Sequence, residues 1–340
     1  MEKNFRPDKL PRYAELHAHL GASVDPPILW SIAHEQGIKL PTRDYWEFES
    51  MVVIKEPPGT FTEFKQIDAK YHKLCELIQS SPVAIEPAVK GIIGGAYRSN
   101  NIVVHELRLN PAKRNRAGER DLDYIILAAI DGVERAVLEY PQVKAGLIFE
   151  LDRGFEKKLN KVIFEKALKY QKRGVLAIDL SGPQNENFNI EEYVDIFQEA
   201  KKKGLNTTIH TGEEGSLVEM KIIVDKIEPH RIGHGVLAWQ DDDLMKRLVD
   251  KDIYLEVCPS SNLMVGVVKG FAGMRQAYRT LYEAGVKLTI NTDGPEMRNS
   301  NLRSEMDLLR KNNIFNEIEL EHIRQNAFKA SFIEGADKMT

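Results

Sequence analysis

The sequence predicts a closed (β/α)8 barrel of the TIM type, and three observations carry that expectation. Eight short runs of strand character punctuate the 340 residues, at 14–20, 102–109, 145–151, 175–181, 205–210, 231–236, 253–258 and 286–292. Helical patterns lie between most of them, and strands that alternate with helices pair in parallel. Eight such strands in a chain of this size favour a closed barrel over an open doubly wound sheet.

The elements follow in order. "AELHAHL" is the first strand. Residues 23–100 are far too long for a simple strand-to-helix loop and carry several helical patterns, including "FTEFKQIDAKYHKLCELIQ", so they read as a helical insertion at the barrel mouth. "IVVHELRL" is the second strand, and "DYIILAAIDGVERAVLEY" after it repeats apolar residues every three or four positions. "AGLIFEL" and "VLAIDLS" follow as strands three and four. "IEEYVDIFQEAKKKG" closes in charged residues and Gly204, a fitting helix stop. "LNTTIH", "RIGHGV", "IYLEVC" and "VKLTINT" complete the set. No linker, low-complexity tract or internal repeat divides the chain, so residues 1–340 read as one domain with its insertion at about 23–100.

Composition narrows the function classes. The chain is 42% hydrophobic and 29% charged with a formal net charge of -4, an ordinary globular balance. Its one short basic run, Lys201 to Lys203, sits on an amphipathic segment, a solvated helix face and no footprint for nucleic acid. Cys75 and Cys258 stand in unrelated contexts and form neither a disulfide framework nor a metal knuckle. The opening "MEKNFRPDKLPRYAEL" lacks the apolar core of a signal peptide, and no run is long enough to cross a bilayer. The expectation is a cytoplasmic protein with no nucleic-acid and no membrane partner; nothing in the sequence bears on oligomeric state.

The chemistry-bearing residues cluster at strand ends. His17 and His19 are two apart on one strand and so face the same side. Strand five ends in His210, with Glu213 just past the Gly212 turn; strand six carries His234; strand eight runs out to Asp293. In a barrel of this type the C-terminal strand ends converge on one pocket. Three histidines and a carboxylate suit a borderline ion such as Zn2+ with a position left for water, and the chain lacks the cysteines of a structural zinc site. The HxE…PCxxC zinc-deaminase signature is absent. His34, His72, His105, His230 and His322 have no ligand-like spacing and read as surface or packing residues. Glu214 fits a helix N-terminus, whereas Glu213 is turned back toward His210, placed for general acid or base work.

With these residues in place, the chain resembles the adenosine and AMP deaminase family of metal-dependent amidohydrolases. The resemblance runs nearly end to end and in order: "ELHAHL", "HELRLNP" at 105–111, "IDLSG" at 178–182, "HTGEE", "RIGHG", "EVCPSSN" at 256–262, "NTDGP" and "NAFKASF" at 326–332. It implies one zinc ion per chain, bound by His17, His19, His210 and Asp293. By the same resemblance, His234 orients and helps deprotonate the attacking water, Glu213 protonates the ring nitrogen, and Gly182 contacts the heterocycle through its backbone. "FTEF" resembles the family's aromatic lid, with Phe61 and Phe64 over the pocket.

Two positions depart from the family pattern. The usual "HLDG" or "HLEG" acid, which in adenosine deaminases contacts the sugar's hydroxyl end, is Gly21 here, and the second Asp of "TDDP" is Gly294. The reaction machinery is kept while two carboxylates that read the substrate are lost, so plain adenosine is expected to be a poor substrate. The implied partner is a small aminated heterocycle, a nucleoside, nucleotide or N6-modified derivative of 6-aminopurine. The alternatives are a non-purine aminated ring, or a catalytically silent member that binds a nucleoside. Strand four offers only Asp179 where a dinuclear site would need a bridging Lys or Glu, so Asp179 is expected to be structural or supporting; Arg108 and Arg153 read equally as pocket supports or buried ion-pair partners.

Overall fold

The computed structural model describes residues 10–55, 61–115, 118, 121–183, 188–213 and 216–340, apart from the side chains of 61–65 and 68. The strands are β1 (Tyr13–His19), β2 (Ile102–Leu109), β3 (Lys144–Asp152), β4 (Val175–Ser181), β5 (Asn206–Thr211), β6 (Arg231–His234), β7 (Tyr254–Val257) and β8 (Lys287–Ile290). They pair in parallel in sequence order, and an isolated parallel bridge between Ala18 and Asp293 joins the last strand's extension back to the first. The expected barrel is therefore present.

The last three strands end earlier than their sequence patterns, for local reasons. After β6 the chain turns through Gly235 at φ +69°; after β7, Pro259 opens a short helix, Pro259–Val265; after β8, the chain peels away toward Asp293 at φ +64°. Closure consequently relies on groups beyond the ladder. The Leu16 amide donates to the Asn291 side-chain oxygen at 3.1 Å, the Asp293 amide donates to the His17 carbonyl at 2.8 Å, and the His19 amide donates to the Asp293 carbonyl at 2.8 Å. Two histidines and the carboxylate of interest thus share one seam.

Four helices fill the long first connection: α1 (Pro26–Glu35), α2 (Tyr45–Val52), α3 (Phe61–Ile78) and α4 (Pro82–Asn100). The last packs along α5 (Leu122–Glu139), whose apolar stripe of Ile125, Ile126, Ala129, Ile130 and Val133 is buried. Helix α3 packs on the turn at Leu20–Ala22 and on helix Pro259–Val265, and its Tyr71 hydroxyl donates to the Gly21 carbonyl at 3.1 Å. That contact sets α3 beside the mouth. Among the described residues, no helix is long and apolar enough to cross a membrane.

The apolar core lies between strands and helices, built from residues such as Leu107, Phe149, Leu180, Ile232 and Leu255. The barrel interior is different: Glu106, Arg108, Asp179, Arg231 and Glu256 are all fully buried there. Arg231 donates to Glu106 at 2.6 Å, to Glu256 at 2.5 Å and to the Ala330 carbonyl at 2.8 Å, while Phe332 covers its guanidinium at 3.6 Å. Arg108 joins Glu256 at 2.7 Å to Asp179 at 2.8 Å and also donates to the Leu16 carbonyl at 2.7 Å. Removing one member of such a network leaves its partners charged and unpaired in a low dielectric. Arg231→Met is accordingly expected to lower unfolding free energy by about 3–5 kcal/mol, read as a drop in the urea midpoint with an unchanged denaturant slope.

Candidate active site

Each of the candidate ligand histidines is held from behind. His17 Nδ1 lies 2.7 Å from Glu256, His19 Nδ1 lies 2.8 Å from Glu150, and His210 Nδ1 lies 2.8 Å from Asp179. A carboxylate at Nδ1 favours the tautomer whose Nε2 presents a lone pair on the far side of the ring. Those Nε2 atoms converge at the mouth. His19 Nε2 is 3.1 Å from His210 Nε2 and 3.3 Å from Asp293 Oδ1, and the buried His17 Nε2 has no hydrogen-bond partner at all.

Three overlapping groups have ligand atoms within 4.8 Å of one another: His17 with His210 and His234, His17 with His19 and Asp293, and Glu213 with His234 and Asp293. The donors are nitrogen and oxygen without sulfur. One buried lone pair is left unanswered, and the imidazoles are already set in the ligating tautomer, so the residues fit a single divalent ion of the zinc type.

Backbone conformation aims two of these groups. His234 at φ +62° and Asp293 at φ +64° occupy the left-handed region, which non-glycine residues adopt only when their surroundings enforce it. Gly212, at φ +72°, makes the turn that returns Glu213 to the pocket, and a side chain there would meet Gly235 Cα at 3.0 Å. Glu213 Oε2 then lies 3.2 Å from His234 Nε2, while Oε1 accepts from Ser261 at 3.3 Å and from Asn262 at 3.4 Å. Gly182, at φ +90°, passes so close to Asp152 that a Cβ would stand 2.9 Å from its carboxylate.

Asn262 decides the His234 tautomer. Its Oδ1 accepts from the Cys258 amide at 3.3 Å and the Tyr278 hydroxyl at 2.8 Å, which turns Nδ2 toward His234 Nδ1 at 3.1 Å. His234 Nδ1 is then an acceptor, and its proton sits on Nε2, facing Glu213. Burial pushes His234 down to about 4 and holds His17 well below the usual imidazole range, so both are neutral. Burial acts the same way on His19, but Glu150 and Asp293 outweigh it and raise that imidazole.

The structure thus brings His17, His19, His210, Glu213, His234 and Asp293 to one mouth, with Gly21 and Gly294 beside it. The side chains of Phe61 and Phe64 lie outside the described residues. Sequence reasoning passed over Glu150 and Glu256, which carry two of the histidines; the signal was a lone acid on the inward face of an apolar strand. It also set aside His72, whose Nδ1 stands 3.7 Å from where a Gly21 Cβ would be. Two arginines went unnoticed as well. Arg114 Nη2 lies 2.6 Å from the place of a Gly21 Cβ, and Arg298 Nη1 lies 2.6 Å from that of Gly294. Guanidinium groups stand where side chains at those two positions would begin.

A parallel eight-stranded barrel with imidazoles and carboxylates gathered at its C-terminal mouth defines the class, a barrel enzyme of the amidohydrolase type. The family model for adenosine deaminase matches residues 11–340, so the chain belongs to the adenosine deaminase family and is a hydrolase acting on carbon–nitrogen bonds. It is 28% identical over 332 residues to an adenosine deaminase of Shewanella denitrificans, covering 97% of each chain. In fold it is similar to an N6-mAMP deaminase of arabidopsis, with a TM-score of 0.81 at 23% identity over 98% of this chain and 97% of that one. It is also similar to a zinc-bound amidohydrolase of Burkholderia ambifaria, with a TM-score of 0.83 at 19% identity over 97% of this chain and 87% of that one.

The buried acids give the fold a pH signature with two opposite arms. Burial would raise Glu256, Asp179 and Glu150, but Arg108 with Arg231, His210 with Arg108, and His19 respectively outweigh it and hold all three at about 2. These acids bind fewer protons folded than unfolded, so their contribution is complete above the unfolded carboxylate range and is lost as pH falls toward 2. Glu305 runs the other way: burial raises it from 4.5 to about 7, so its contribution is complete below 4.5 and is lost as pH rises through 7. In urea midpoints across pH, Glu305→Gln is expected to keep the acid loss and shrink the decline toward pH 7. A curve parallel to that of the unsubstituted protein would show Glu305 already ionised in the fold.

Proposed function

We propose that this chain is a zinc-dependent hydrolytic deaminase of an aminated heterocycle, a 6-aminopurine nucleoside, nucleotide or N6-modified derivative. The observation that carries the reading is the meeting of Glu213, His234 and Asp293 with the Nε2 atoms of His17, His19 and His210 at one mouth. Membership of the adenosine deaminase family supports the reaction. The adenosine and N6-mAMP deaminases it resembles, which act by name on 6-aminopurines, support the ring.

His17, His19, His210 and Asp293 would hold the ion. A bound zinc supplies Lewis acidity, bringing the pKa of a coordinated water to about 7. His234, neutral with its proton on Nε2, would orient the attacking oxygen by donating to it. Glu213, cradled by the Ser261 hydroxyl and the Asn262 amide, would hold a proton and, once His234 turns its Nε2–H to the attacking oxygen, pass it to the ring nitrogen beside the amino-bearing carbon. Protonation of that nitrogen makes the carbon electrophilic, and addition of water there would return a proton to the Glu213 carboxylate. That proton would pass to the amino group, the hydroxyl proton of the tetrahedral carbon would replace it on Glu213, and ammonia, or an amine from an N6-substituted ring, would leave as the carbonyl forms. Gly182, held close to Asp152 by its backbone, would offer the ring a main-chain contact.

The test is ammonia or amine release by zinc-loaded protein across adenosine, adenine, AMP, N6-substituted aminopurines and non-purine aminated rings. A modified or phosphorylated aminopurine is expected to turn over with adenosine slow, and Glu213→Gln is expected to cut kcat by about 100- to 10,000-fold. Silence across the panel with zinc bound would overturn the reading. Glu150 touches the site through His19. Glu150→Gln is therefore expected to weaken zinc affinity by about 10- to 100-fold in competition with a chelator, without abolishing the fold.

A further inference from the structure

Most charged side chains at the mouth are committed. Lys113 Nζ lies 2.5 Å from Asp152, Arg153 donates to Glu219 at 3.0 Å and to the His210 carbonyl at 2.6 Å, and Arg298 Nη2 lies 3.1 Å from Asp293. Arg114 is the exception. It is 5% exposed, its Nε and Nη1 are buried without a hydrogen-bond partner, and among the described residues no carboxylate comes within ion-pair distance. Its Nη2 fills the place of the Gly21 side chain, two residues beyond His19. Burial lowers its proton affinity, and the acids within electrostatic reach, Glu76 and Glu150, do not make up the difference.

A buried guanidinium with idle donors costs stability, and this chain satisfies its two deepest arginines, Arg108 and Arg231, with carboxylates. The donors of Arg114 form a planar fork, the shape that grips two oxygens of one anion. A Cβ at position 21 would stand 2.6 Å from Nη2, so glycine there is what lets the guanidinium lie against the turn after His19. We infer that Arg114, lying against Gly21 beside the site, binds an anionic group of the substrate, a phosphate or a carboxylate carried at the end remote from the reacting amino group. The inference rests on the deaminase reading above and deepens it: the substrate is an anionic derivative of the aminated ring.

Steady-state deamination of adenosine, AMP and adenosine-5′-carboxylate by the zinc-loaded protein, Arg114→Gln and Gly21→Asp tests this. The unsubstituted protein is expected to prefer at least one anion over adenosine in kcat/KM by about 10- to 100-fold, the worth of a charge-assisted hydrogen bond. Which anion wins distinguishes phosphate from carboxylate. Both variants should erase the preference mainly through KM, Gly21→Asp because its Cβ would displace the guanidinium, whose Nη2 lies 2.6 Å from that place, and its carboxylate would compete for it. Arg114→Gln should keep or raise Tm in the absence of ligand, since an unanswered charge is removed. Equal kcat/KM for all three substrates, or a preference that survives in Arg114→Gln, overturns the inference. So does a lower Tm with equal losses on adenosine and AMP, which marks a structural arginine. If nothing is deaminated, the reaction reading fails separately, and the subsite is judged by whether AMP raises Tm more than adenosine does in the unsubstituted protein and not in Arg114→Gln.

Discussion

The rest of this structure depends on the answering of carboxylates inside the barrel. Glu256 accepts from four donors, His17, Arg108, Arg231 and Thr208, and through them it ties β1, β2, β5 and β6 to β7. Arg108 carries the same linkage to Asp179, and Asp179 reaches His210. A barrel interior packed with leucine and valine would be simpler to fold, but it could not dictate which nitrogen of an imidazole bears the proton. Here the charges that hold the interior together also set the histidines in the ligating tautomer. Fold and site therefore draw on one network, and a substitution in it acts on both.

Backbone strain falls where that network meets the mouth. His234 and Asp293 are each held at positive φ, a conformation costing about 1–3 kcal/mol per residue and sustained only by its surroundings. For Asp293 those surroundings are the closing seam, where main-chain bonds to His17 and His19 flank it and its carboxylate accepts from Ser261 at 2.6 Å. For His234 they are Asn262 on one edge and the wall of the barrel on the other. Closing the barrel and aiming the carboxylate are one event: a chain that failed to close would lose the site before its core.

The sequence carried the barrel because eight alternations of strand and helix leave few topologies open, and it carried His17, His19, His210, His234, Glu213 and Asp293 because strand ends share a pocket. Spacing made those residues visible. Glu150 and Glu256 were not, because one acid in an apolar strand has no periodic partner and its meaning depends on which imidazole it meets across the barrel. The ends of β6, β7 and β8 were read too long because Val236, Cys258 and Thr292 carry strand character past the residue where Gly235, Pro259 or the twist at Asp293 stops the ladder. Arg114 and Arg298 lie in connections without periodicity, so the two glycines announced space in the pocket but not the guanidinium groups that fill it.

That division between strand and connection has a physical consequence for specificity. Of the carboxylates behind the histidines, Glu256 and Asp179 are also paired with buried Arg108, so their charge cannot change without a cost to the fold, whereas Glu150 is held by His19. Gly21 and Gly294 are positioned by main-chain bonds, Tyr71 to the Gly21 carbonyl and the Gly294 amide to the Thr292 carbonyl, and neither bond involves the side chain at that position. An acid can be traded there for glycine while the turn survives. At both positions a guanidinium lies where a side chain would begin, Arg114 at Gly21 and Arg298, paired with Asp293, at Gly294. The recognition of the ring's substituents can thus diverge while the machinery that would attack the ring remains the same.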